Sequence, residues 1–128
     1  MSAGRPATGL LRIVVALVGA HSVALGLAML FWPRDFARLV GFPETATIFF
    51  STQAGAFLLA LGICYLLALR DRALAWTIVV SKAVAVVFLL AHALFLDAPP
   101  SVLAAAAADL AMLGITLYAM RLGHQDST

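Results

Sequence analysis

Charge is what this sequence most lacks. Only 11% of its 128 residues are Asp, Glu, Lys or Arg, while 64% are hydrophobic. A water-soluble domain carries about 25% charged and about 45–50% apolar residues. Too few polar side chains remain to clothe a surface in water, so a soluble fold is excluded and lipid must cover the outside. Cysteine is nearly absent as well: Cys64 stands alone in an apolar run, which excludes an intramolecular disulfide and any cysteine-based metal site. The formal charge of +2 comes without a run of Lys and Arg interleaved with aromatics, so nucleic acid is not an expected partner. There is no Gly-x-Ser-x-Gly elbow, no phosphate-cradling glycine loop and no Ser, His and Asp set at workable depth, which leaves hydrolase or nucleotide chemistry of the soluble type without support.

What is abundant is uninterrupted apolar sequence. A hydrocarbon core of about 30 Å needs about 20 apolar residues in helical form. Residues 10–31, 46–69, 73–96 and 101–120 meet that length. The first segment follows Arg5 and Arg12, as in a secretory signal, but its run of about 22 residues exceeds the 7–15 of a signal sequence, and it is expected to stay as a helix. The expectation is therefore an all-α integral membrane four-helix bundle, one transmembrane domain over residues 1–128.

The connections refine this. In residues 32–43, Pro33 suits a first helical position and Gly41 a helix stop, so a short interfacial helix is expected between helices 1 and 2. Phe36, Leu39 and Val40 would form its apolar side, with Arg34, Asp35 and Arg38 in water. Arg70, Asp71 and Arg72 alone join the second and third segments, which predicts an antiparallel hairpin. Pro99 and Pro100 end the third, and Ser101 is placed to cap the fourth. Arg5, Arg12, Arg70, Arg72 and Arg121 share one side and Arg34 and Arg38 the other, which puts both termini in the cytoplasm. Trp76, Tyr65 and Tyr118 then belong to the cytoplasmic aromatic belt and Trp32 to the outer one. Leu61-Gly62-Ile63 before Ala68-Leu69-Arg70 faintly repeats in Leu113-Gly114-Ile115 before Ala119-Met120-Arg121.

Ionisable side chains inside such segments cost about 2.5–3.5 kcal/mol each and so mark candidate sites. Counting 1.5 Å per residue from each midpoint sets His21 at the midplane, Asp109 about 2 Å above it and Lys82 about 4 Å below. These three form a candidate polar core, and Lys82 is expected to pair with Asp109, since either alone would be uncompensated. Six large apolar residues of the fourth segment supply about −2 to −3.5 kcal/mol, which the aspartate nearly cancels, so that helix needs a tertiary partner. The alanine run 104–108 is expected to pack closely and turn Asp109 inward. Gln53, Ser81 and His92 form a second polar layer nearer the outer face, with Ser81 and His92 about 20° apart around their helix. His21 and His92 lie too far apart in depth to share a metal, and none is expected. Gly19 with Gly26, and Gly55 with Gly62, read as packing seams.

Four short helices, an Arg12-led first helix with Gly19 and Gly26, the Pro33 loop, and Gln53-Ala54-Gly55-Ala56 followed by Leu61-Gly62 together resemble the DoxX-like group of small bacterial membrane proteins. The resemblance implies an inner-membrane four-helix bundle, and some members of the group are similar to accessory subunits of quinone-linked oxidoreductases. It brings no catalytic residue, and the layer of His21, Lys82 and Asp109 has no counterpart in it. Three functions stay open. The first is a non-catalytic membrane subunit or binder of a hydrophobic small molecule, with a bound quinone or lipid and a membrane complex or homo-oligomer as partners. The second is a proton-linked carrier or pore using Asp109, Lys82 and His21. The third is a membrane enzyme acting on a quinone- or isoprenoid-like substrate.

Overall fold

Hydrocarbon offers backbone amides no hydrogen-bond partner, so apolar segments of this length close their own bonds as helices. The computed structural model describes residues 4–43 and 47–125. Among them are α1 (Gly9–Phe31), α2 (Pro33–Leu39), α3 (Phe49–Leu67), a 3₁₀ turn (Arg72–Leu74), α4 (Ala75–Phe95) and α5 (Pro100–Gln125), with no strand. Four helices, with the 3₁₀ turn leading into α4, are long and apolar enough to cross a bilayer. The chain is a small multi-pass membrane protein with an all-α, four-helix architecture.

Local chemistry sets the helix ends and shifts several from where composition placed them. The second span was expected from residue 46, which lies outside the described residues; α3 starts at Phe49, whose N–H donates to Thr47 Oγ1 at 3.2 Å. It ends at Leu67 rather than at residue 69, because the following N–H groups tighten onto carbonyls three residues back, from Ala68 to Tyr65 and from Leu69 to Leu66. Asp71 accepts from Ala73 N and opens the 3₁₀ turn, so α4 proper begins at Ala75. Ser101 does not cap α5. Pro100 takes the first helical position, and the Ser101 hydroxyl donates to Val40 O, tying α5 to the end of α2. At the other end α5 runs five residues past the expected stop at residue 120, and the Arg72 guanidinium, 3.1 Å from Gly123 O, satisfies a terminal carbonyl there.

The short helix α2 ends as Gly41 predicts. Gly41 has φ +84°, its N–H donates to Arg38 O, and the Phe42 N–H donates to Ala37 O, the paired bonds of a glycine-terminated helix. Its apolar side is only partly used. Phe36 and Val40 are half-buried, whereas Leu39 is 84% exposed and points away from the bundle. Arg38 lies 3.6 Å from Asp35 on the polar side.

The packing overturns one expectation. The three-residue link between α3 and α4 does not make them close partners. Instead α3 packs along α1, α4 along α5, and a looser α1–α5 contact joins the two pairs, while α3 and α4 touch sparsely. Glycine decides the first pair. A Cβ on Gly26 would sit 2.6 Å from Leu59 N and 2.8 Å from Gly55 O, and one on Gly62 would sit 2.8 Å from Val23 N. Backbones this close exclude any side chain, so α1 and α3 run antiparallel with Gly26 against Gly55 and Gly19 near Gly62. In the faint repeat, by contrast, Gly114 has nothing within 4 Å of its would-be Cβ, so the two matching glycines do unlike jobs.

The N-terminal segment, the α3–α4 turn and the end of α5 meet at one end. Ala7 N donates to Leu69 O, Arg72 N donates to Arg5 O, and the Arg72 side chain reaches Gly123 O. This end also carries Arg12, Arg70 and Arg121, which make it the basic end of the bundle.

Candidate functional site

Inward-facing residues of each helix recur three and four apart, and the polar core falls on those stripes. On α5 the inward row is Val102, Ala106, Asp109, Thr116 and Met120, all buried but for Asp109, whose side chain keeps some exposure. On α4 it is Ala75, Ile78, Lys82 and Val86. The alanine run does not turn Asp109 inward as expected, for Ala104, Ala105, Ala107 and Ala108 are exposed and only Ala106 is buried. What directs Asp109 is its place three residues after Ala106, on the same face.

Lys82 and Asp109 meet across α4 and α5. Lys82 Nζ lies 2.6 Å from Asp109 Oδ1, and the two side chains are 6% and 15% exposed. The contact is a charge-assisted hydrogen bond in which each charge satisfies the other. Beside it, Ser81 turns the other way. Its hydroxyl shares a hydrogen bond with the fully buried Tyr65 hydroxyl of α3 and also lies 2.7 Å from its own helix's Thr77 O. Adjacent residues of α4 thus grip α5 and α3, and the Tyr65–Ser81 bond spans the sparse α3–α4 side.

Tyr65 is therefore a core residue and not part of the aromatic belt. Two more buried polar groups escaped the sequence reading. Thr116 is fully buried with Oγ1 donating to Met112 O at 2.7 Å. Ser22 is fully buried in the glycine seam, its Oγ without a partner among the described residues. The signal was available in all three: Ser22 lies between Gly19 and Gly26, Tyr65 three residues after Gly62, and Thr116 seven after Asp109.

His21 does not join the ion pair. It is exposed, with no hydrogen-bond partner among the described residues, and lies in a groove of about 290 Å³ between α1 and α5 lined also by Val14, Leu17, Val18, Met112 and Ile115. The second layer is not assembled either. His92 Nδ1 donates to Phe88 O at 2.8 Å and its ring stacks on Phe88 with centroids 4.0 Å apart. Ser81 is taken by Tyr65, and Gln53 is exposed with no bond to either among the described residues. No line of polar groups runs from the outer rim to the middle through these three.

Chemically, the core holds one neutralised ion pair and hydroxyls bonded mainly to backbone, while the groove offers one imidazole on an apolar wall. Neither that groove, the groove at the basic end nor the surface pocket beside Trp32 is lined by Lys82 or Asp109. Among the described residues, no three of His, Cys, Asp and Glu stand close enough to share a metal ion. Compared with known proteins, the chain matches no family model, no curated protein and no solved structure, so its role must be argued from its own side chains.

Proposed function

We propose that this chain is a non-catalytic protein of the bacterial inner membrane, with both termini in the cytoplasm, that binds a hydrophobic small molecule in the α1–α5 groove and serves as a membrane subunit. One observation carries the reading. His21 presents an imidazole with no partner among the described residues halfway along α1, in a groove whose other walls are apolar. A polar ring at that depth, away from headgroups and water, is costly unless something bonds to it. A lipid-soluble molecule with a carbonyl or hydroxyl head, such as a quinone or an isoprenoid alcohol, supplies both the bond and the apolar body. The resemblance to DoxX-like proteins belongs to this proposal and points the same way.

A carrier or an enzyme would need its acid, base and imidazole within reach of one another and of a substrate. Lys82 and Asp109 spend their charges on each other, and His21 faces elsewhere. The test is extraction of the protein in mild detergent from its native membrane, followed by mass spectrometry of the organic-soluble material it retains. The parent chain is expected to keep a near-stoichiometric apolar molecule that His21→Leu loses, with folded yield unchanged. Equal retention by His21→Leu, or a parent chain that carries nothing, overturns the reading.

A further inference from the structure

A second groove lies away from His21. It has a volume of about 440 Å³ and runs along the last turns of α5 beside the start of α4, lined by Trp76, Leu117, Met120, Arg121, His124 and Gln125. It grades along its length, with Leu117 and Met120 as an apolar floor and Arg121 and His124 toward the helix end. From Leu117 to His124 the helix rises about 10 Å, enough to pass from acyl chain to headgroup level. Trp76, 56% exposed on the facing wall, is the residue type that settles at that boundary.

The electrostatics favour an anion. Arg121 is exposed and has no hydrogen bond or ion pair among the described residues. Among the carbonyls at the end of α5, which would repel negative charge, Gly123 O is taken by Arg72 at 3.1 Å, and one turn earlier His124 Nδ1 bonds Met120 O at 2.9 Å. Since a carbonyl only accepts, Nδ1 carries the proton of that bond; Nε2 has no partner among the described residues and donates to an anion as the imidazolium. Arg5, Arg12, Arg70 and Arg72 gather at the same end and add a positive field.

We infer that this groove is a binding site for an anionic phospholipid, its phosphate held by Arg121 and the imidazolium of His124 and its acyl chain laid over Leu117 and Met120 against Trp76. A basic recess between helices at the membrane surface is the chemistry that holds such headgroups, and each basic residue near the surface is worth about fivefold in binding. Free phosphate would satisfy Arg121 and His124 but leave the apolar floor uncovered, so the lipid is the occupant.

The test uses the full chain carrying Trp32→Phe, which leaves Trp76 as its one tryptophan. Reconstituted in zwitterionic phosphatidylcholine nanodiscs, it is titrated with phosphatidylglycerol whose acyl chains are brominated, or with equally brominated phosphatidylcholine, and Trp76 quenching is read. Quenching at about fivefold lower mole fraction of the anionic lipid is expected. Arg121→Gln is expected to abolish that preference, Arg121→Lys to keep most of it, and Arg12→Gln, at the same end but outside the groove, to lower it far less than Arg121→Gln does. Equal quenching by both lipids overturns the site, and so does an equal loss in Arg12→Gln, which would mean a diffuse surface potential. Relief of quenching by millimolar inorganic phosphate overturns the lipid as occupant.

Discussion

A lysine and an aspartate in apolar helices survive only as a pair, because the cost of burying either charge alone exceeds what one helix recovers by inserting. Lys82 and Asp109 reach 2.6 Å. Asp109→Leu is therefore expected to destabilise the protein by about 3–5 kcal/mol, since it strands a buried ammonium, and Lys82→Met to cost a similar amount by stranding the carboxylate. The double variant Lys82→Met/Asp109→Leu is expected to match or exceed the parent. Thermal unfolding of all four chains in one detergent gives the cycle; a double variant weaker than either single one would mean that the pair does more than neutralise itself. The sequence exposed this pair because charged residues are conspicuous among apolar ones. It hid Ser22, Tyr65 and Thr116, whose hydroxyls suit either a helix's own carbonyls or a neighbour, so that only the packed face shows which groups are buried.

Among the elements, α1 and α3 are held by contact between backbones, and α4 and α5 by side chains. The difference is testable on two glycines in helix interiors. Gly26→Ala puts a methyl 2.6 Å from Leu59 N, where backbone cannot yield cheaply, and is expected to cost about 1–3 kcal/mol through separation of α1 from α3. Gly114→Ala meets nothing within 4 Å and gains helix propensity, so it is expected to be neutral or to stabilise by up to about 1 kcal/mol. Matched unfolding curves check both; equal losses would show that the seam is not what holds α1 to α3. The glycine spacings were legible in the sequence, but the choice of partner was not. A short link brings two helix ends together and says nothing about their far ends, and the seam on one side and the ion pair on the other draw α3 and α4 to different neighbours.

For the molecule as a whole, four spans and an excess of arginine at one end argue a topology. Cys64, exposed on α3, is the only native thiol, so Cys64→Ser gives a background for single reporters. Cysteine at residue 5 is expected to resist a membrane-impermeant maleimide in intact cells and to react after lysis, while cysteine at residue 34, beside α2, reacts from outside. The reverse pattern would overturn the proposed orientation. The bundle itself is uneven: closed at the basic end, where the N-terminal segment, the α3–α4 turn and the end of α5 bond to one another, and sparse between α3 and α4 except for the Tyr65–Ser81 bond.

Composition and apolar run length settled by themselves that lipid surrounds this chain and that it crosses the membrane as helices, because hydrocarbon tolerates no unpaired backbone and few charges. They also marked Lys82 and Asp109 as a pair in need of each other. Only the tertiary structure decided which helices touch, that His21 faces a groove and not the ion pair, that Tyr65 is core, and that Gln53, Ser81 and His92 go separate ways. The reason is geometric: sequence fixes a residue's height along its helix, whereas the direction in which it points depends on where the other helices stand.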